Sequence, residues 1–382
     1  MSHYRLTLPA RINILGNPSD ALEGDFATIS AAVDIHAGAF VESAEGVVLE
    51  RLRRGDGDGE FEVVDRVDFN VATAPLPYDG RLDLVKGAIN RLYRYSEAFR
   101  ERYRREGVRI ATWTDVPRQS GLGGSSLFTL LALAGLRAVY ALDHRLLNDY
   151  VVAELAQRVE AKELGITCGY ADRYVPLFGG LAYLDYRGKL HQRPVGEEPY
   201  ATYERLDGRV PELSIVAIST GIERDSGDVH GRMRPRYLEE HQDWAERGGE
   251  IPPMVQFMVG AWETTWQGKR ALLEGDLVTF GAMMNRNHAL VDAMMNYCGF
   301  CDGAGWVNNR LIDVALEQGA LGAKLTGAGG GGSVFALVRP GEEAALEAAW
   351  QAVTEKIDLT KAVIFRPRIS CTGLTVEKMA DE

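Results

Sequence analysis

Apolar positions predict strands in the first part of the chain, followed by helices. Residues 26–42 alternate loosely between β-forming and polar side chains, and residues 108–114 form a second strand candidate. Residues 124–140 are apolar on nearly all sides, which is typical of a buried helix. Residues 148–164 carry apolar side chains at helical spacing, so a further helix is predicted there.

The second half of the chain is predicted to begin with a strand and to continue mainly as helices. The residues IVAIST after Ser214 are typical of a buried strand. The later predicted elements are helices over residues 253–275, 277–297 and 304–319, a glycine loop over 327–332, a strand through Val338, a helix near 341–357 and a strand near 362–367. Strands that come first, with helices interleaved later, indicate the α+β class rather than a regular βαβ array.

The length of 382 residues predicts two domains, because one hydrophobic core rarely grows beyond about 250–300 residues. The periodicity breaks between residues 195 and 212, so we expect residues 1–205 to form one domain and residues 206–382 the other. The stretch RLRRGDGDGE at residues 51–60 is rich in glycine and charge, and it is predicted to be a surface loop.

The charge balance argues against nucleic acid as a partner. The net charge is -12, and lysine and arginine form no long block, so any bound anion must be held by local donors. No apolar run approaches the roughly 20 residues of a membrane span, and the first residues lack the apolar core of a signal peptide. We therefore expect a cytoplasmic protein that binds a small molecule.

The four cysteines are too few for a disulfide framework in a chain of this length. Cys298 and Cys301 have C-x-x-C spacing, but the pair is single and no strand signal precedes it. Two buried thiols are the simpler expectation, with redox or metal chemistry as the alternative.

The segment SGLGGSSLFT, residues 120–129, is predicted to bind phosphate. A helix N-terminus offers free N–H groups and a partial positive charge, and glycines at 121, 123 and 124 remove side chains that would block an anion. Ser125 and Ser126 add hydroxyls to the first turn. The segment lacks the lysine of a P-loop and the spacing of a dinucleotide-binding fold, so it belongs to neither class.

Three motifs, taken together, resemble those of the GHMP kinases. The residues from Pro117 to Ser126 are similar to the P-x-x-x-G-L-G-S-S motif of that superfamily. PARINILGNPSD at residues 9–20 looks like its N-terminal substrate motif, and KLTGAGGGG at residues 324–332 looks like its C-terminal glycine motif. The resemblance implies a kinase with a ribosomal-S5-like N-terminal domain and a ferredoxin-like C-terminal domain, which uses ATP and Mg²⁺.

The resemblance also implies roles for individual residues. Asp172 matches the catalytic carboxylate that faces the acceptor hydroxyl, and Arg11 matches the basic residue beside it. Mg²⁺ is expected on Ser125 and Glu160, with Glu163 as the competing carboxylate. The nucleotide is expected to contact Pro117, Gly121, Leu122, Gly123, Gly124, Ser125 and Ser126. The acceptor is expected to contact Asn17, Ser19, Asp20, Gly327, Gly329 and Gly330.

The first motif argues against galactose as the acceptor. Galactokinases carry G-E-H-T-D where this chain has GNPSD at residues 16–20, so the Glu-His pair that meets galactose is missing. The motif resembles that of plant-type glucuronokinases, which favours a sugar or sugar acid phosphorylated at its anomeric hydroxyl. Other segments are similar to heptose-phosphate kinases, and a kinase for another alcohol or a sensor without turnover stays open.

Two further side-chain assignments are left open by the sequence. Arg118, Arg173 and the cluster at 232–236 are unranked candidates for binding a substrate carboxylate. Trp113 could stack on adenine, although an aromatic residue on a buried strand more often belongs to the core.

Overall fold

Two antiparallel strands that pair along most of their length form the centre of the larger of two sheets. The computed structural model describes residues 3–22, 26–55, 60–189, 193–223, 226–327 and 329–380. The strands are β1 (His3–Leu15), β2 (Ala27–Ala44), β3 (Val47–Arg54), β4 (Phe61–Phe69), β5 (Gly107–Thr114), β6 (Leu181–Asp185), β7 (Thr202–Arg205), β8 (Ser214–Ser219), β9 (Gly322–Thr326), β10 (Ser333–Val338), β11 (Val363–Phe365) and β12 (Thr375–Lys378).

The larger sheet has the order β12-β1-β2-β5-β3-β4, with β6 paired to β2 and β7 to β6. The smaller sheet has the order β11-β8-β10-β9. The chain passes from one sheet to the other between β7 and β8. Strand β12 then returns to the larger sheet, where it pairs with β1.

Helices cover both sheets and fill the space between them. They are α1 (Asp83–Tyr95), α2 (Glu97–Tyr103), α3 (Gly124–Val139), α4 (Asp149–Arg158), α5 (Ala171–Phe178), α6 (Ser226–Arg247), α7 (Pro253–Glu274), α8 (Leu277–Tyr297), α9 (Trp306–Glu317) and α10 (Glu343–Lys356). The largest core cluster joins α3 to β1 and β2, and Leu127, Leu130 and Leu131 are fully buried in it. A second cluster joins β8 and β10 to α9 and α10 around Trp350.

The α+β prediction is confirmed, and most predicted elements are present within one to three residues of their expected bounds. Four helices, α1, α2, α5 and α6, were not predicted from the sequence pattern, and α6 is the longest of them. Gly227, Gly231 and Pro235 discourage a helix, and most of its side chains are polar. Its apolar stripe is narrow: Val229, Met233 and Tyr237 recur every four residues and pack in a core cluster with α7 and α8.

Three local predictions need correction. The helix predicted over 148–164 ends at Arg158 and continues as one π-helical turn, Val159–Glu163. The first four residues of the predicted loop at 51–60 belong to β3, while residues 56–59 lie outside the described part of the chain. Cys301 is exposed and Cys298 only half-buried, so the expectation of two buried thiols is wrong.

Trp113 belongs to the core, which is the more common place for an aromatic residue on a buried strand. Its side chain is 3% exposed and fills the space that a side chain at Gly38 would need. The ring packs against Phe61, and the Arg54 guanidinium lies 4.7 Å from its centroid. A ring that is 3% exposed leaves no face open to adenine. Separately, among the described residues no helix is both long enough and apolar enough to cross a bilayer.

Candidate functional site

Asp172 lies in the first turn of α5, where Arg11 from β1 binds its carboxylate. Arg11 Nε donates to Asp172 Oδ1 at 2.6 Å, and a second guanidinium nitrogen forms an ion pair with the same oxygen. The guanidinium also donates to the carbonyl of Gly121 in the phosphate-loop motif. The Asp172 side chain is 23% exposed, so it remains accessible to a small molecule.

The environment of Asp172 keeps its carboxylate ionised. Burial alone would raise the pKa of Asp172, but the positive charges of Arg11 and Arg173 outweigh it and lower the pKa below its usual value. At neutral pH the side chain is therefore a hydrogen-bond acceptor with a full negative charge.

Asp20 is buried beside Asp172 and caps the same helix. Its Oδ2 accepts the backbone N–H groups of Tyr170 and Ala171, each at 3.0 Å. Burial raises the pKa of Asp20, and the neighbouring charge of Asp172 raises it further. Gly169 permits this contact, because a Cβ there would lie 2.2 Å from Oδ2. Asp20 thus stabilises the backbone that carries Asp172.

The phosphate-loop motif leads directly into α3. Gly121 and Gly123 have φ angles of +73° and +77°, which side chains disfavour, and α3 begins at Gly124. Ser125 is exposed on the first turn and Ser126 is buried. The free N–H groups of this turn and the helix dipole suit an anion, as the sequence predicted.

The two glycine motifs pack against each other at the site. A Cβ at Gly121 would lie 2.4 Å from the carbonyl oxygen of Thr326, and one at Gly327 would lie 2.8 Å from the Cα of Gly121. The Thr326 hydroxyl donates to the Gly121 carbonyl at 3.4 Å. The C-terminal glycine motif therefore abuts the phosphate-loop motif. Gly329 and Gly330 also have positive φ angles, of +90° and +79°.

Glu160 lies in the π-helical turn and points to the start of α3. The Ser126 hydroxyl donates to Glu160 Oε1 at 2.9 Å, and Arg173 forms an ion pair with the same oxygen at 2.6 Å. The competing carboxylate, Glu163, instead pairs with Arg91 of α1 at 2.8 Å. Of the two candidates, only Glu160 contacts the phosphate-loop motif.

Ser125 and Glu160 offer the hard oxygen donors that suit Mg²⁺, although the serine that contacts Glu160 directly is Ser126. Mg²⁺ prefers hard oxygen ligands and commonly takes one or two carboxylates, with phosphate and water completing the shell. The described parts of the chain contain no group of three or more His, Cys, Asp or Glu side chains that could hold a metal. A metal here would thus take most of its ligands from phosphate and water.

Lys324 joins the first and third motifs. Its Nζ is wholly buried and donates to Asn17 Oδ1 at 2.8 Å, the Leu325 carbonyl at 2.8 Å and the Asn13 carbonyl at 3.3 Å. Asn17 Nδ2 also donates to the Gly327 carbonyl at 3.4 Å. Lys324 therefore orients Asn17, one of the predicted acceptor-binding residues. Ser19, another of them, is fully buried, and its hydroxyl donates to the Ala27 carbonyl at 3.4 Å.

We expect the stability of the protein to depend on the ionisation of Lys324. Burial, followed by the charge of Arg11, lowers the pKa of Lys324 from 10.5 to about 7. Between these values the unfolded chain binds one more proton than the folded chain, so the free energy of unfolding rises with pH by about 1.4 kcal/mol per unit. Lys324→Met should lack this rise.

Urea unfolding of both proteins between pH 6.5 and 9.5 measures the effect. Lys356→Met is the control, because Lys356 is exposed on α10 and its removal should leave the pH dependence unchanged. Parallel curves for the wild type and Lys324→Met would contradict a depressed pKa.

His230 of α6 is a further polar group at the site, and it was missed as an individual candidate because α6 was not predicted. Its Nδ1 is buried and has no hydrogen-bond partner among the described residues. Burial lowers the pKa of His230, while the charges of Asp20 and Asp172 oppose this effect. The histidine therefore lies close enough to both carboxylates to interact with them. The sequence offered one signal for His230: it is a polar residue beside the apolar positions Val229, Met233 and Tyr237.

Comparison with known protein families agrees with the motifs. The model of the GHMP kinases N terminal domain matches residues 83–180, and that of the GHMP kinases C terminal domain matches residues 307–356. Among curated proteins, "Probable glucuronokinase 2" of Arabidopsis thaliana is 30% identical over 348 residues, covering 88% of this chain and 86% of that protein. The D-glycero-alpha-D-manno-heptose 7-phosphate kinase of Campylobacter jejuni is 24% identical over 347 residues, with coverages of 89% and 91%.

Among solved structures, the Lactococcus lactis galactokinase complexed with galactose superposes with a TM-score of 0.75 at 19% identity. The match covers 98% of this chain and 95% of that one. At this identity the likeness concerns the fold, and it confirms the two-domain architecture expected from the motifs.

Proposed function

Because this chain belongs to the GHMP kinases, we propose that it transfers the γ-phosphoryl group of ATP to the anomeric hydroxyl of a sugar acid of the glucuronate class. The observation that carries the proposal is the ion pair of Asp172 with Arg11, which lies where the two glycine motifs meet. Its ionised carboxylate is suited to accept a proton from a hydroxyl, and the motifs beside it are suited to hold phosphate.

In the proposed reaction Asp172 orients the acceptor hydroxyl and receives its proton as the bond to phosphorus forms. Arg11 balances the carboxylate and lies close enough to the phosphate loop to stabilise charge on the transferring group. The N–H groups at the start of α3 bind the phosphates of ATP. Mg²⁺, held by Ser125 and Glu160, would neutralise phosphate charge when bound.

Two features support a sugar acid as the acceptor. The Glu-His pair of galactokinases is replaced by Asn17 and Pro18, and Asn17 is engaged by Lys324 and Gly327. The chain also shares 30% identity with a protein named as a probable glucuronokinase. The similarity to a heptose 7-phosphate kinase makes a phosphosugar the second candidate.

An assay of ADP release with ATP and Mg²⁺ tests the proposal. The acceptors are glucuronate, galacturonate, glucose, galactose and a heptose phosphate, and phosphorus NMR identifies the product of any turnover. We expect a 1-phosphate of glucuronate or a related uronic acid, with at least a tenfold preference in kcat/KM over glucose. Turnover of the phosphosugar alone would favour the second candidate. Nucleotide binding without turnover of any acceptor would contradict an enzyme and indicate a sensor.

A further inference from the structure

Helix α6 lies over the loop that precedes Asp172, and a small pocket lies between them. The pocket measures about 60 Å³ and is lined by Gln157, Ala161, residues 165–168 and Arg234. Two pocket residues, Thr167 and Cys168, directly precede the backbone that binds Asp20. The pocket is therefore adjacent to the carboxylate pair of the site, on the side that α6 covers.

One face of α6 connects the pocket with Asp172. His230 and Arg234 are four residues apart, so they lie on the same side of the helix, about 6 Å apart along its axis. His230 interacts with Asp20 and Asp172, and Arg234 lines the pocket. The face of α6 that meets the two carboxylates therefore also reaches the pocket.

Arg232 and Arg236, the other arginines of the 232–236 cluster, contact residues outside the lining of this pocket. Arg232 donates to Asp228 at 3.0 Å, and its guanidinium lies 4.6 Å from the centroid of the Phe300 ring. Arg236 donates to the Tyr297 carbonyl at 2.6 Å, and its guanidinium lies 3.7 Å from the centroid of the Tyr297 ring.

The two candidates outside α6 are placed differently. Arg173 is 1% exposed and binds Glu160 and the Gly169 carbonyl, so it belongs to the interior of the site. Arg118 is exposed beside the phosphate loop, one residue after Pro117. Arg234, by contrast, lines the pocket next to the Asp172 loop.

We infer that Arg234 binds the carboxylate of the acceptor sugar acid in this pocket and thereby presents the anomeric hydroxyl to Asp172. This inference rests on the proposed function. At about 60 Å³ the pocket exceeds the roughly 10–15 Å³ that one water molecule needs, so polar atoms of a ligand can enter it. The guanidinium can donate two parallel hydrogen bonds to a carboxylate, and the Thr167 hydroxyl lies in the same wall.

A local cation is needed at this position for an electrostatic reason. The cations next to Asp172 are already engaged, because Arg11 pairs with Asp172 and Arg173 pairs with Glu160, so the carboxylate of an acidic sugar needs a further positive group. A neutral sugar has no such requirement. Arg234 should therefore determine the choice between an acid and a neutral sugar, while the transfer step depends on Asp172.

The test compares Arg234→Gln with the wild type on glucuronate and on glucose, which has a hydroxymethyl group in place of the carboxylate. We expect the KM for glucuronate to rise about 10- to 100-fold, with a much smaller change in kcat and no comparable loss on glucose. Arg234→Lys should recover part of the loss, because it restores the charge without the paired geometry. Arg232→Gln is the matched control on the same helix and should behave as the wild type.

Each outcome bears on one of the two proposals. An unchanged KM for glucuronate in Arg234→Gln, or equal losses on both sugars with a lowered melting temperature, would overturn the role of Arg234. If the wild type used a heptose phosphate alone and Arg234→Gln lost it, the pocket would bind phosphate and the carboxylate assignment would be wrong. A wild type that turns over no uronic acid would refute the proposed function itself, independently of any variant.

Discussion

Asp172→Asn is expected to lower kcat by about 10²- to 10⁴-fold while leaving the affinity for ATP nearly unchanged. Asparagine keeps the size of the side chain and can still accept a hydrogen bond from Arg11, but it cannot receive a proton from the acceptor. The carboxylate forms no part of the glycine motifs that are proposed to hold the phosphates. The two properties should therefore separate, which a change in folding would not allow.

Measuring kcat for the acceptor identified above, together with ATP affinity by calorimetry, distinguishes these outcomes. Asp68→Asn is the matched control, because Asp68 is an exposed aspartate on β4 that pairs with Arg66. It should retain wild-type kcat. Near-normal turnover in Asp172→Asn would remove this residue from the proposed mechanism.

The pH dependence of the wild type gives a second view of the same residue. Burial opposes ionisation of Asp172, but Arg11 and Arg173 lower its pKa below the usual 3.8. Protonation of Asp172 should therefore not limit kcat/KM until the pH falls below that value. A fall in kcat/KM near pH 5 or above would have to come from another group. Such a fall would not count against Asp172 as the base.

Glu154→Gln is expected to destabilise the protein by about 3–5 kcal/mol, the usual cost of breaking a buried ion pair. Glu154 is 1% exposed in α4 and binds Arg158 and Lys189, each at 2.8 Å. Glu198 completes a group of two acids and two bases with no net charge. Neutralising Glu154 leaves two buried cations facing one carboxylate.

The consequence reaches the site because this group supports α5. The hydroxyl of Tyr174, two residues after Asp172, donates to Glu154 at 2.5 Å. The free energy of unfolding, measured in urea for the wild type and Glu154→Gln, checks the prediction. Glu62→Gln removes an exposed partner of Arg53 and should cost at most about 1 kcal/mol. A loss below 1 kcal/mol in Glu154→Gln would show that the buried group does not stabilise the fold.

The sequence by itself determined the family, the fold class and the phosphate-loop motif, because these depend on short stretches. Three glycines before an apolar run specify a helix start with exposed N–H groups, whatever surrounds them. The order of the three motifs along the chain was likewise readable without coordinates. Alternation and helical spacing predicted β2, β5, α3, α4 and the helices from α7 to α10, since each buries an apolar face against the core.

Only the tertiary structure decided which charged side chains meet. It paired Lys324 with Asn17, which is 307 positions away, and placed Asp20 at the start of a helix 150 positions further along. It brought Glu160 to the start of α3 and Glu163 to α1, although both lie in the same turn. Neighbours in sequence can point in different directions, and distant residues can share a site, because contacts between elements are set by packing.

Helix α6 is an element that the sequence did not predict and whose side-chain contacts only the tertiary structure decided. Its glycines, proline and polar side chains hide the helix from local rules, since its stability comes from packing against α7 and α8. The helix places the arginines in different surroundings. Arg234 lines the pocket, Arg232 donates to Asp228 and Arg236 donates to the Tyr297 carbonyl. The sequence of residues 232–236 does not show which way each arginine side chain points. The helix decides this, because successive side chains turn by about 100° around its axis.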